Sequence, residues 1–306
     1  MAIGQMFGGP ISDTLGRKRA IFGFLVVYAV GCLLAIYSQS FGMILAARVL
    51  QGFGAAGPYV ISLAMVRDRY AGEAMARISS FIMAVFILVP MIAPAMGQGV
   101  MWLAGWRAIF VAFLLLAGLA GTWLAVRQAE TLPVERRRPF SPSKLWGALS
   151  ETLGNRQSLG YTVIGGLVFG AFMVYLSTVP QLFKDLYGIV DGFPLVFAGL
   201  SFAIGFASLI NGALVTRLGM RRLSVLALGL IGLTSLACLL TSFALLQPPL
   251  WLAIAYLAVT LFCCGSLFGN LAALALEPLG HIAGMGASVY GGLSTLIGFP
   301  VGLVIG

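Results

Sequence analysis

Charge is what this sequence has least of. Only 9% of its 306 residues are Asp, Glu, Lys or Arg, against about a quarter in ordinary soluble domains. That scarcity excludes a disordered chain, which needs low hydrophobicity and high charge. Histidine occurs once, at His281. The four cysteines, Cys32, Cys238, Cys263 and Cys264, have no metal-ligand spacing. All lie in apolar runs and read as small buried hydrophobes. Paired acids on a common cavity, a Ser-His-Asp set and a nucleotide-binding loop are also missing. The reading is therefore no enzyme, no metal and no cofactor. Without a nucleotide site, any transport has to draw on a gradient.

What is present is apolar mass. Hydrophobic residues make up 60% of the chain, with 40 Gly and 21 Phe, and the mean hydropathy is +1.03. A water-soluble globule has no interior large enough to hide that surface, so the chain is an integral membrane protein. A spanning helix needs about 20 apolar residues, and the length has room for about ten. Apolar runs at 20–38, 42–65, 78–101, 107–126, 159–183, 193–215, 223–246, 250–276 and 282–306 are each long enough to cross as a helix. Met1 to Phe7 reads as the tail of a further helix. With no basic leader or cleavage site this is not a signal peptide, and both chain ends fall inside apolar runs, as if cut.

The net charge of +9 is loop charge and not a nucleic-acid surface. One set of alternate loops holds Arg17, Lys18 and Arg19, then Arg67, Arg69 and Arg77. It goes on with Arg127, Arg136, Arg137, Arg138, Lys144 and Arg156, and then Arg217, Arg221 and Arg222. The other side has only Arg107 and Lys184, and Arg48 lies within a helix. The positive-inside rule makes loops 10–19, 66–77, 127–158 and 216–222 cytoplasmic in an inner-membrane protein. The polar stretch 128–158, with Pro133, Pro139 and Pro142, reads as a cytoplasmic linker between bundles 1–127 and 159–306. Its basic run is an orientation signal that also suits anionic lipid headgroups.

One loop occurs twice. Gly9-Pro-Ile-Ser-Asp13-Thr-Leu-Gly16-Arg17-Lys18-Arg19 is echoed by Gly212-Ala-Leu-Val-Thr216-Arg-Leu-Gly219-Met-Arg221-Arg222, 203 residues later. Both carry Gly, then Leu-Gly, then a basic pair at a cytoplasmic turn. Gly16 suits a tight turn at positive φ. Repetition at this spacing suggests a duplicated bundle, an architecture found in transporters whose halves rock against each other.

These residues resemble the major facilitator superfamily. Gly9-x-x-x-Asp13-x-x-Gly16-Arg17-Lys18 is similar to its signature loop between helices two and three. Arg48-Val-Leu-Gln51-Gly52-Phe-Gly54-Ala55-Ala56 resembles its fourth-helix motif. Ala93-Pro94-Ala-Met-Gly97-Gln98 resembles the Gly-Pro-x-x-Gly-Gly motif of its proton-coupled drug antiporters. There, Ala93 and Gln98 replace glycines, and Val89 stands where an earlier glycine is usual. With Arg67-Asp68 and Gly105-Trp106-Arg107-Ala-Ile-Phe110, the likeness is to the bicyclomycin/chloramphenicol-resistance branch. The resemblance implies an all-α fold of two pseudo-symmetric bundles, running here from the end of helix two to helix eleven of twelve. Relatives often carry a proton-coupling acid in helix one, and none of the nine acids here falls mid-membrane.

Arg48 lies inside an apolar helix, where a charge is costly unless it meets a polar partner. It is the expected buried charge, and the resemblance ties it to proton coupling. Asp13, Gly9, Gly16, Arg17, Lys18, Arg67 and Asp68 form an expected cytoplasmic latch, which in the family helps hold the halves together in the outward-facing state. Pro90, Pro94 and Gly97 form an expected hinge. Gln51, Tyr59, Met83, Phe86, Tyr175, Gln181, Asn211 and Asn270 are candidate linings of a mid-membrane cavity for bulky amphiphiles. His281 reads as a cap or surface residue. The expected activity is proton-driven export of drugs or small amphiphiles by a monomer whose partners are cargo, protons and lipid. A metabolite or sugar carrier of the same fold and an inactive fragment are the alternatives.

Overall fold

The computed structural model describes residues 1–70, 78, 89, 92, 93, 96–137, 141–189, 192–245 and 247–305. Among these it is helical, with no strand. The helices are α1 (Ala2–Leu15), α2 (Arg17–Ile36), α3 (Phe41–Arg69), α4 (Trp106–Arg127), α5 (Pro142–Gly154), α6 (Arg156–Tyr187), α7 (Phe193–Leu218), α8 (Met220–Leu245), α9 (Leu250–Leu276) and α10 (Ala283–Ile305). Residues 96–104 are also helical. Among the described residues seven helices are long and apolar enough to cross a membrane. Inside hydrocarbon every backbone polar group needs an internal partner, and a helix supplies it.

The expected spans differ from the helices mainly at their ends. Helix α3 runs past the apolar segment through Arg67 and Asp68 to Arg69. It can do so because Asp68 is paired with Arg17 instead of standing alone. Helix α6 begins at Arg156. The Gln157 amide there donates to the Leu274 carbonyl at 3.2 Å and to Glu277 at 2.8 Å. The polar stretch expected as a linker holds its own helix, α5, which starts on Pro142, a residue suited to a first turn. The turn repeat is real in conformation: Gly16 has φ 94° and ψ 153°, and Gly219 has φ 78° and ψ 151°. A side chain rarely adopts either.

The chain divides into two compact units. The first is Met1–Ile82, Met96–Asn155 and Leu279–Leu293, and the second is Met83–Ala95, Arg156–Pro278 and Ser294–Gly306. In the first unit α2 packs against α3 and α4, and α1 packs against α3. Ala20, Ile21, Phe24, Ile61 and Met65 form its core. Lipid is as apolar as leucine, so close packing has to hold such helices together. Gly54 shows how close: a Cβ there would lie 2.5 Å from the Tyr28 nitrogen and 2.7 Å from the Phe24 oxygen. Gly54→Ala is expected to destabilise the unit by about 1–3 kcal/mol. A lower thermal midpoint of the detergent-solubilised protein would report it.

In the second unit α9 is central, touching α6, α7 and α8. Its core is aromatic: Tyr175 stacks on Phe197 with centroids 5.8 Å apart and on Phe172 at 6.1 Å. Gly166 and Gly170 of α6 let the second part of α10 approach, since a Cβ at Gly170 would sit 2.8 Å from the Gly298 oxygen.

Candidate functional site

The densest polar cluster of the described residues sits where α1, α2, α3 and the segment after α4 end together. Gly16 turns the chain between α1 and α2 and delivers Arg17 into it. Only 8% of Arg17 is exposed. Its Nη1 donates to Asp13 Oδ1 at 2.5 Å and to Ser12 Oγ at 2.6 Å, and its Nε donates to Asp68 Oδ2 at 2.9 Å. Thr131 Oγ1 also donates to Asp68 Oδ2, at 3.2 Å. A fork-shaped cation with donors on several sides can hold two carboxylates at once, which an ammonium cannot do with the same geometry. A cavity of about 280 Å³ opens beside this cluster, lined in part by Gly9, Asp13, Asp68 and Ser288. Across it Gly9 lies against the first part of α10, where a Cβ would come 2.7 Å from Ser288 Oγ.

Glu130 is the residue that sequence reading missed. Its Oε1 accepts from the Arg17 backbone N–H at 2.9 Å and its Oε2 from that of Lys18 at 3.2 Å. These are first-turn amides of α2, which have no partner inside their own helix. The same carboxylate accepts from Thr131 N at 3.0 Å and Leu132 N at 3.1 Å. At the other end of α2, Arg107 Nε donates to the Ile36 carbonyl at 3.2 Å and Nη2 to that of Ser38 at 3.0 Å. An acid thus meets the positive end of α2 and a base its negative end, the base from the first turn of α4 and the acid from just after its last. Lys18 returns the arrangement, its Nζ donating to Ala125 O near the end of α4 at 2.8 Å. Only long-range geometry connects Glu130 to residues 113 positions away, and no local pattern announces it.

Some of the residues expected in a latch meet here, and Gly9 lines the adjoining cavity. Asp13, Gly16, Arg17, Lys18 and Asp68 converge, whereas the Arg67 side chain lies outside the described residues. Among the described residues, the hydrogen bonds of the Arg17 side chain end on α1 and α3, within the first unit.

Arg48 departs from the reading of a buried charge. Its side chain is exposed. Its guanidinium lies over the Phe110 ring, 5.3 Å from the centroid. Nη1 donates to Gln51 Oε1 at 3.3 Å. Gln51, only 5% exposed, donates in turn to Cys32 Sγ at 3.4 Å.

The other expected positions are scattered. Met83, Phe86, Pro90 and Pro94 lie outside the described residues, and Gly97 is in the helical stretch 96–104. Tyr59 is 40% exposed, and Tyr175 is 8% exposed within the aromatic core. Gln181 is exposed. Asn211 and Asn270 face each other across α7 and α9, exchanging amide hydrogen bonds of 3.0 and 2.9 Å. Each keeps one N–H for a further partner. His281 pairs with Glu151 at 2.9 Å. The four cysteines are free thiols, and no His/Cys/Asp/Glu cluster of metal-binding size occurs among the described residues.

Residues 1–302 match a sequence model of a family described as Major Facilitator Superfamily. The chain is 30% identical over 311 residues to an uncharacterized MFS-type transporter, YdgK, of Bacillus subtilis (strain 168), spanning all of this chain and 76% of that protein. It is 30% identical over 306 residues to a bicyclomycin resistance protein homolog of Haemophilus influenzae, again spanning all of this chain and 76% of the relative. A chloramphenicol resistance protein of Pseudomonas aeruginosa is 31% identical over 99% of this chain and 71% of its own length. Among solved structures, the human organic anion transporter MFSD10 (TETRAN) aligns with a TM-score of 0.56. It covers 98% of this chain and 81% of that one, at 22% identity, a likeness of fold.

Proposed function

We propose, on the premise that the chain belongs to the Major Facilitator Superfamily, that it exports drugs or other small amphiphilic molecules in exchange for protons. The family consists of transporters and not enzymes, and the chain is a multi-pass inner-membrane protein. The cargo class is supported by the relatives' names, which include a bicyclomycin resistance protein homolog and a chloramphenicol resistance protein. The rocking halves are taken as 1–127 and 159–306, joined by 128–158. Alternating access needs one end of the cavity shut while the other is open.

One observation carries the mechanism. Nearly buried Arg17 ties Asp13 to Asp68 directly beside the Gly9–Ser288 seam. In this reading the network stiffens the cytoplasmic end of α1–α3, so that α10 has a fixed surface to close against. Opening inward separates α10 from α1 and admits water to Asp13, which is already 42% exposed. Breaking an exposed ion pair costs little, so the arm to Asp13 can switch while the arm to Asp68 persists. Arg48 serves proton coupling: a guanidinium in the apolar segment favours the ionised form of a carboxylate brought beside it, such as the coupling acid that relatives carry in helix one. Pro90, Pro94 and Gly97 act as hinge. Gln51, Tyr59, Met83, Phe86, Tyr175, Gln181, Asn211 and Asn270 remain the proposed cargo contacts.

The test is ethidium retention in a bacterial host stripped of its own efflux pumps. Cells making the chain are expected to retain less dye, and a protonophore to abolish the difference. Arg48→Ala should reduce the uncoupler-sensitive efflux by about tenfold or more at equal membrane abundance. Efflux indifferent to the protonophore would rule out proton coupling. Normal export by Arg48→Ala would remove Arg48 from the mechanism.

A further inference from the structure

We propose that Cys32 is a positioning residue for Arg48, acting through the amide of Gln51. The proposal rests on the coupling role given to Arg48 above. Gly31 is buried, and a Cβ there would lie 2.9 Å from the Ala47 oxygen and from the Gln51 nitrogen and Cγ. Only a residue without a side chain lets α2 and α3 come this close, and the next residue on α2, Cys32, is then within reach of Gln51. Cys32 is fully buried and Gln51 is 5% exposed.

The chemistry of the three groups fixes the arrangement. A buried amide needs partners for both its ends. Arginine carries donors only, so the Gln51 oxygen must face Arg48, as it does at 3.3 Å. The amide nitrogen must then find an acceptor on the α2 side. The thiol sulfur is that acceptor, at 3.4 Å. With alanine at position 32 the amide loses its anchor. It is then free to turn over and present N–H groups to a guanidinium that cannot accept them. The sulfur thus selects one of two amide orientations, the one that holds Arg48 over Phe110. The remaining donors of the exposed guanidinium are left for a carboxylate.

Two variants separate hydrogen bonding from volume. Cys32→Ala removes the acceptor, while Cys32→Ser keeps one in a slightly smaller side chain. At matched membrane abundance, Cys32→Ala is expected to lower protonophore-sensitive ethidium efflux about fivefold. Cys32→Ser should recover it to within about twofold of the unsubstituted chain. A second readout needs no transport. The infrared S–H stretch that disappears in Cys32→Ala should shift in Gln51→Leu. An unmoved band in Gln51→Leu overturns the proposal, as does full efflux by Cys32→Ala or a serine variant no better than alanine. If the unsubstituted chain shows no protonophore-sensitive efflux, the exporter reading itself falls, and the coupling role of Cys32 with it. The band shift would still report the Gln51–Cys32 contact.

Discussion

Arg17→Ala is expected to cost the folded protein about 3 kcal/mol and most of its transport. The figure follows from the partners left behind. Removing one member of a largely buried ion pair strands the other, at about 3–5 kcal/mol. Asp68 is the stranded acid here, with its side chain 21% exposed. The Asp13 arm adds little because that carboxylate is 42% exposed and water solvates it once Arg17 is gone. Ser12, fully buried, loses the donor at its Oγ as well. Arg17→Lys should recover less than half of the loss, since one ammonium cannot reach Asp13, Asp68 and Ser12 from a single stem. Thermal midpoints in detergent and ethidium efflux, measured on the same three proteins, provide the check. An alanine variant as stable and as active as the original would show that the two carboxylates need no cation.

Glu130→Ala comes next in size, at about 2 kcal/mol. Four backbone N–H groups point at this carboxylate, at 2.9, 3.2, 3.0 and 3.1 Å. Two belong to the first turn of α2. Losing a helix cap costs about 0.5–2 kcal/mol, and hydrogen bonds to a charged group contribute about 1.5–3 kcal/mol. The carboxylate also faces the end of α2 where about half a positive charge resides. Glu130→Gln keeps one oxygen but loses the charge, and should fall between the parent and alanine. The specific signature is local: backbone amides of Arg17 and Lys18 should exchange hydrogen faster in Glu130→Ala, with the rest of α2 little changed. Uniform protection would mean that the cap is not formed. Gly16 belongs to the same device, because a Cβ there would come 2.6 Å from Glu130 Oε2.

Most of the helical array can be read from the chain alone, because spanning segments are apolar for a reason that acts residue by residue. What escaped the reading depends on partners distant in sequence. Asp68 carries α3 beyond its apolar run only because Arg17 meets it. Glu130 looks like an ordinary loop acid until α2 is placed beside α4. Arg48 shows a different limit: its depth along α3 follows from counting residues, but the side of the helix that neighbours leave open does not. Tyr175 and the Asn211–Asn270 pair show it again. Position within a span marks them as candidate cavity linings but does not announce that Tyr175 joins an aromatic cluster or that the two amides meet. Glycines were more informative. Gly16 was expected at a turn for reasons of backbone geometry, and it is found there.

The two clasps on α2 make it a caliper. Arg107 closes on one end and Glu130 on the other, and the helix between them has 20 residues, about 30 Å at 1.5 Å per residue. The jaws stand on opposite ends of α4, so the opening of the caliper is set by how many residues α4 contains. A single residue added to α4 would raise one jaw by about 1.5 Å and swing it about 100° around the axis. Only one end of α2 would then remain gripped. Substitutions on the lipid-facing sides of this pair leave the gauge intact, whereas a change in count does not. The two helices are therefore free to vary in composition yet bound to keep the distance between their clasped ends.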